Sequence, residues 1–187
     1  LVVIHDATLD RTTDGTGAVC RHDWADLCRL TLKGSGGQRM LLLEEVIEIF
    51  RPTRIKLRLE IKAGPDRIPY PGHVARIVTI LAAWGILERT ALTSFQLGTV
   101  AEVPRHGVPM SHVWLVTPDL QTDIGLEAVI GLARAHGVPM LGLRGNRLDE
   151  AAVARVRGAG LGIGGWACND ASPIARMFDL GVDVFTT

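Results

Sequence analysis

The stretch Val156–Ala167, VRGAGLGIGGWA, decides the fold. Its first residues have helical character, and Gly160 stands where a helix must stop. A glycine just past a helix takes the left-handed conformation that closes the last turn without a Cβ penalty. The apolar run that follows is short and ends at Trp166, the signature of a strand buried on both faces, as in parallel sheets. The same sentence is written elsewhere in the chain: AAWGILERTALTS around Gly85, ARAHGVPMLGL around Gly137 and MFDLGVDVFTT around Gly181. The string HGVPM occurs twice, at His106–Met110 and His136–Met140, and reads as a repeated helix-to-strand junction, since proline suits a strand's first residue.

Strands are predicted over 2–5, 55–62, 91–94, 109–115, 139–143, 161–167 and 182–186. Helices are expected between them, notably over 72–84, 126–136, 150–158 and 172–180. Val74, Ile77, Val78 and Leu81 share one face of the first of these helices. Such alternation means parallel βα units in a single domain spanning residues 1–187. A doubly wound sheet would need a glycine-rich turn after an early strand. GSGGQ at Gly34–Gln38 offers only a superficial one, with no strong strand before it, and reads as a surface loop. A (β/α)₈ TIM barrel instead gathers its chemistry at the C-terminal ends of several strands. Here His5 and Asp6, Glu60 and Lys62, Ser94, and Trp166 with Asn169 all fall at predicted strand ends. The barrel is the predicted architecture.

Composition narrows the function classes. The 187 residues carry 20 basic and 20 acidic side chains, so no global field draws nucleic acid or anionic lipid. No apolar run reaches the length of a membrane span. Cys20, Cys28 and Cys168 form no CxxC pair, and an odd count argues against a disulfide framework; a reduced, cytoplasmic setting is favoured. The chain opens on Leu1 almost inside a strand, so its N-terminus is expected to have been cut away, which leaves secretion open.

Glu60 and Lys62, two apart on a strand, face one side. They can simply pair, or in a barrel mouth the carboxylate can take a hard cation while the lysine holds an anion. Asp6 can orient His5 or cap the following turn. The polar loop after them can wall a phosphate-sized site or serve only as turns. Trp166 can line a substrate or merely pack. His22, His73, His106, His112 and His136 lack partners at metal-ligand spacing and read as surface or structural residues.

The opening VVIHDATLDRTTDGTG, followed by LLLEEVIEIF, LRLEIK, TSF, GGWACND and LGVDVFTT, resembles the glycerophosphodiester phosphodiesterase family in order and across essentially the whole chain. The resemblance implies a barrel that hydrolyses glycerophosphodiesters to an alcohol and glycerol 3-phosphate with one divalent cation, Mg²⁺ or Ca²⁺, and two histidines as acid and base. On that basis His5 matches a catalytic histidine and Glu60 a metal ligand. Lys62 matches a phosphate contact, and Trp166 a residue on the substrate side of the mouth. The implied partner is a small glycerophosphodiester, not a nucleic acid. The family's His-Arg-Gly and Glu-x-Asp motifs are absent, and Leu41-Leu42 and WACN replace the usual Pro-Thr and Trp-Thr-x-Asn. An incomplete barrel is therefore expected, lacking the first strand, the first helix and part of the second strand. The rival readings are a phospholipase-D-like barrel forming cyclic phosphates, and a non-catalytic binding barrel.

Overall fold

A computed structural model describes residues 1–187. The elements are β1 (Val2–Val3), α1 (Trp24–Leu27), β2 (Leu41–Leu42), α2 (Leu43–Phe50), β3 (Leu57–Glu60), α3 (His73–Ala83), β4 (Thr90–Ser94) and α4 (Leu97–Glu102). They continue through β5 (Ser111–Leu115), α5 (Pro118–Ala135), β6 (Met140–Arg144), α6 (Glu150–Gly158), β7 (Gly162–Trp166), α7 (Ala171–Asp179) and β8 (Val184–Phe185). Strands β3 to β8 pair in chain order, every pair parallel, in one sheet. The sheet curls with its helices outside as an incomplete (β/α)₈ barrel.

The junction glycines behave as their sequence context demands. Gly85, Gly137, Gly160 and Gly181 all have φ between 61° and 78°. Gly107, in the first HGVPM, does not share that conformation. A Cβ there would stand 2.8 Å from Val78 and 3.0 Å from Leu87, so close approach to α3 requires the glycine instead. The two identical strings are thus not one repeated junction.

Alternation along the strands sorts side chains into two layers. Leu92, Trp114, Leu141, Leu143 and Ile163 point outward into cores shared with the helices. On α3 the predicted face is buried throughout: Val74, Ile77, Val78 and Leu81 expose at most 3%. Each such side chain contributes about 2 kcal/mol of hydrophobic burial. The opposite parity, Arg58 and Glu60 on β3, Lys62 just after it, Phe95 after β4, Arg144 on β6 and Trp166 on β7, faces the concave side.

The predicted strand over 2–5 is shorter and differently placed than expected. Only Val2–Val3 is extended, and it pairs antiparallel with Leu41–Leu42, outside the parallel sheet. The segment between them cannot enter the ladder because its polar groups bond locally. Gly17 N–H donates to Asp10, Thr31 N–H to Asp14, and the Thr13 hydroxyl to the Leu9 carbonyl. Under this loop Leu9, Leu27 and Met40 form a small apolar cluster of their own. GSGGQ is a turn at its outer edge, between the bridge partners Thr31 and Arg39.

Candidate active site

His5 follows β1 on the rim of that lobe, its side chain 73% exposed. Its Nδ1 lies 2.7 Å from Asp6 Oδ1, and Asp6 also receives Arg11 through both oxygens, Nε at 2.6 Å and Nη2 at 2.7 Å. The guanidinium first, and the imidazole second, hold the Asp6 carboxyl well below the usual carboxylate range. Asp6 is therefore a fixed anion that accepts from Nδ1–H and turns Nε2 outward. Of its two roles left open by the sequence, orientation of His5 is the one the geometry displays. Beside His5 a cleft of about 400 Å³ is lined by Ile4, Thr12, Lys33 and Ser35 among others.

Glu60 and Lys62 meet at the C-terminal end of β3, Lys62 Nζ 2.9 Å from Glu60 Oε1, both about a third exposed or less. The simple ion pair thus forms. Behind it Arg58 lies on the same face, and burial pushes its guanidinium below its usual value against the opposing pull of Glu60. One Arg58 nitrogen, Nη1, is buried without a partner. Ser94 proves structural: its buried hydroxyl donates to the Ile61 carbonyl at 2.8 Å, tying the end of β4 to the end of β3. Asn169 lies exposed three residues beyond β7.

Trp166 stands at the end of β7 with its indole N–H donating to the Gly142 carbonyl at 3.2 Å. Gly142 itself is required by its neighbour on β5, since a Cβ would meet Leu115 at 2.7 Å. Phe95 packs edge-on against the indole, centroids 5.3 Å apart, and the Arg144 guanidinium lies 5.9 Å over it. Ala167 then takes φ 56°, a left-handed conformation costing a non-glycine roughly 1–2 kcal/mol. The turn brings Cys168 N–H to the Thr186 carbonyl at 3.0 Å and seats Cys168 in the core, where burial raises its thiol pKa. All three cysteines are free.

Four predicted site residues thus fall into three local groups: His5 with Asp6, Glu60 with Lys62, and Trp166 with its aromatic neighbour. Arg11, Phe95 and Arg144 were missed as participants. Arg144 could have been found from parity, because extending the strand 139–143 by one residue puts an inward side chain at its end. No three His, Cys, Asp or Glu side chains come together as a metal site. No helix is long and apolar enough to cross a membrane.

Comparison with known proteins identifies the family of the chain. The profile of the glycerophosphoryl diester phosphodiesterase family matches residues 1–187. The chain is 30% identical over 110 residues to a glycerophosphodiester phosphodiesterase of Caldanaerobacter subterraneus subsp. tengcongensis, an alignment covering 56% of this chain and 44% of that protein. It is 27% identical over 195 residues to the glycerophosphodiester phosphodiesterase of Bacillus altitudinis, covering 100% of this chain and 76% of that one. A crystal structure from Agrobacterium tumefaciens, named for a glycerophosphoryl diester phosphodiesterase, superposes with TM-score 0.96 at 38% identity, over 100% of this chain and 75% of that one. A phosphodiesterase of Oleispira antarctica, solved with the product sn-glycerol-3-phosphate, shares the fold at TM-score 0.77 and 22% identity, over 98% of this chain and 74% of its own.

Proposed function

Because the chain belongs to the glycerophosphoryl diester phosphodiesterase family, we propose that its barrel rim serves hydrolysis of glycerophosphodiesters to an alcohol and glycerol 3-phosphate. The observation that carries this reading is the His5–Asp6–Arg11 chain of hydrogen bonds, an imidazole oriented by a permanently charged carboxylate. In the reaction, water bonds through its oxygen to phosphorus and releases one proton to solvent, from which His5 regains the one it donates, while the phosphorus–oxygen bond to the head group breaks. The departing alkoxide needs a proton, and His5 supplies it from Nε2, typically worth about 10²–10⁴-fold in rate. Lys62 spends one N–H donor on Glu60 and has two left for non-bridging phosphate oxygens, where negative charge gathers. Trp166 offers an apolar wall to the substrate.

The resemblance implies Mg²⁺ or Ca²⁺, with Glu60 as ligand. Glu60 is the right donor type, but a hard cation takes six or more oxygens, and these residues assemble no such set. The test is release of sn-glycerol 3-phosphate by wild type and by His5→Ala. Hydrolysis of a natural diester should fall at least about 10²-fold in the variant, while an activated ester whose leaving group needs no proton is largely spared. Equal slowing of both substrates removes His5 as the acid.

A further inference from the structure

Arg144 is the one cation of the concave face that has a ring beneath it and no acid beside it. It ends β6 in register with Trp166 on β7, is exposed, and enters none of the molecule's ion pairs. Its guanidinium lies over the indole that Phe95 braces from the edge and Gly142 anchors through the N–H. A guanidinium 5.9 Å over an aromatic face, within cation–π range, keeps its N–H donors free, which suits a carboxylate or phosphate. The same positive charge lies over a ring face that a quaternary ammonium would seek, and would repel it.

Arg144 and the Glu60–Lys62 pair sit three strands apart in the sheet. At about 4.8 Å per strand the path between them is roughly 14 Å. Lys62 is anchored by Glu60 and Arg144 lies over Trp166, so each cation has its own fixed neighbour on the concave face. With the scissile phosphate at Lys62, the Arg144 guanidinium is left free to take a further anionic group of the diester.

Resting on the function proposed above, we propose that Arg144, Trp166 and Phe95 form a head-group subsite that selects glycerophosphodiesters whose alcohol carries a further anionic group and disfavours quaternary ammonium head groups. Arg144 is the specificity-determining residue. The subsite is tested by calorimetric titration with glycerophosphoinositol 4-phosphate and with glycerophosphocholine, using wild type, Arg144→Met and Arg144→Lys. Wild type should prefer the anionic ligand by about tenfold, the scale of one charge-assisted hydrogen bond. Arg144→Met keeps side-chain length on the ring and should abolish the preference, weakening the phosphorylated ligand and strengthening the choline one. Arg144→Lys, charged but without the planar fork, should restore part of it. The proposal is overturned by a Met variant whose ligand ratio stays within about twofold of wild type. Failure of either ligand to bind, or equal weakening of both, also overturns it. Hydrolysis followed on the same samples separates the two readings: selective binding without turnover sinks the diesterase function and leaves the subsite standing.

Discussion

Asp6 offers two kinds of service that a neutral isostere separates. Asparagine caps turns about as well as aspartate, but it carries no charge to stabilise an imidazolium. Asp6→Asn should therefore leave the fold and KM nearly unchanged and lower kcat on a natural diester by about 10-fold or more, with the activated ester again spared. A thermal shift with unchanged kcat would make Asp6 a turn residue only. Arg11 explains why the wild-type carboxylate is dependable. It grips both oxygens, so Asp6 stays ionised far into the acid range. Arg11 stands in the stretch VVIHDATLDRTTDGTG that carries the resemblance, yet its contact with Asp6 is not legible there, because a five-residue return depends on loop geometry that no periodicity encodes.

At the scale of elements, the two HGVPM strings make a matched experiment. Gly137 has φ 67° with open space around it, so Gly137→Asn, a residue that tolerates the left-handed region, should cost less than about 1 kcal/mol. Gly107 has an ordinary φ and side chains of Val78 and Leu87 against it, so Gly107→Asn should cost about 1–3 kcal/mol through overpacking. Urea melts of the two variants check the order; equal losses would contradict the assignment of different causes. Strand and helix positions in the parallel sheet were largely legible because glycine stops and apolar runs are local signals. The exceptions have local causes too. Pro118–Ile124 joins α5 ahead of the predicted helix, across a non-helical Gly125. The Thr117 hydroxyl that accepts from Leu120 N–H, with Pro118 at the first helical position, was the unread start signal. The antiparallel partner of Val2–Val3 lies about forty residues away, and two-residue strands carry no period by which to find it. Of the candidate site, residue types were legible at strand ends; pairings across strands, such as Arg144 with Trp166, needed the register.

For the whole molecule, pH acts on stability through half-buried imidazoles. Burial lowers the pKa of His73, which stacks near Tyr70, and of His112, whose ring N–H reaches the Gly137 carbonyl. A group with a depressed folded pKa leaves the unfolded chain binding more protons. Its contribution is complete above the unfolded value of about 6.5 and is lost as pH falls through the lower folded value. Urea midpoints should therefore drop between pH 7.5 and 5.5, and His112→Gln should flatten that slope; a variant as pH-sensitive as wild type excludes His112 as a source. Metal should add little to these 187 residues. With no three carboxylate, imidazole or thiol side chains gathered at one point, calorimetry with Ca²⁺ should find no site tighter than about 10⁻³ M, and submicromolar binding would require ligands outside the arrangement described. The separate apolar cluster of Leu9, Leu27 and Met40 has a kinetic meaning. Three buried side chains hold the segment that carries His5, against sixteen in the cluster beneath β5–β7. Its amides should exchange with deuterium through local openings well before those of β4–β7, in the manner of an independent foldon. Warming would then uncouple the proton donor while the sheet is still intact, and turnover would fade several degrees below the temperature at which the barrel melts.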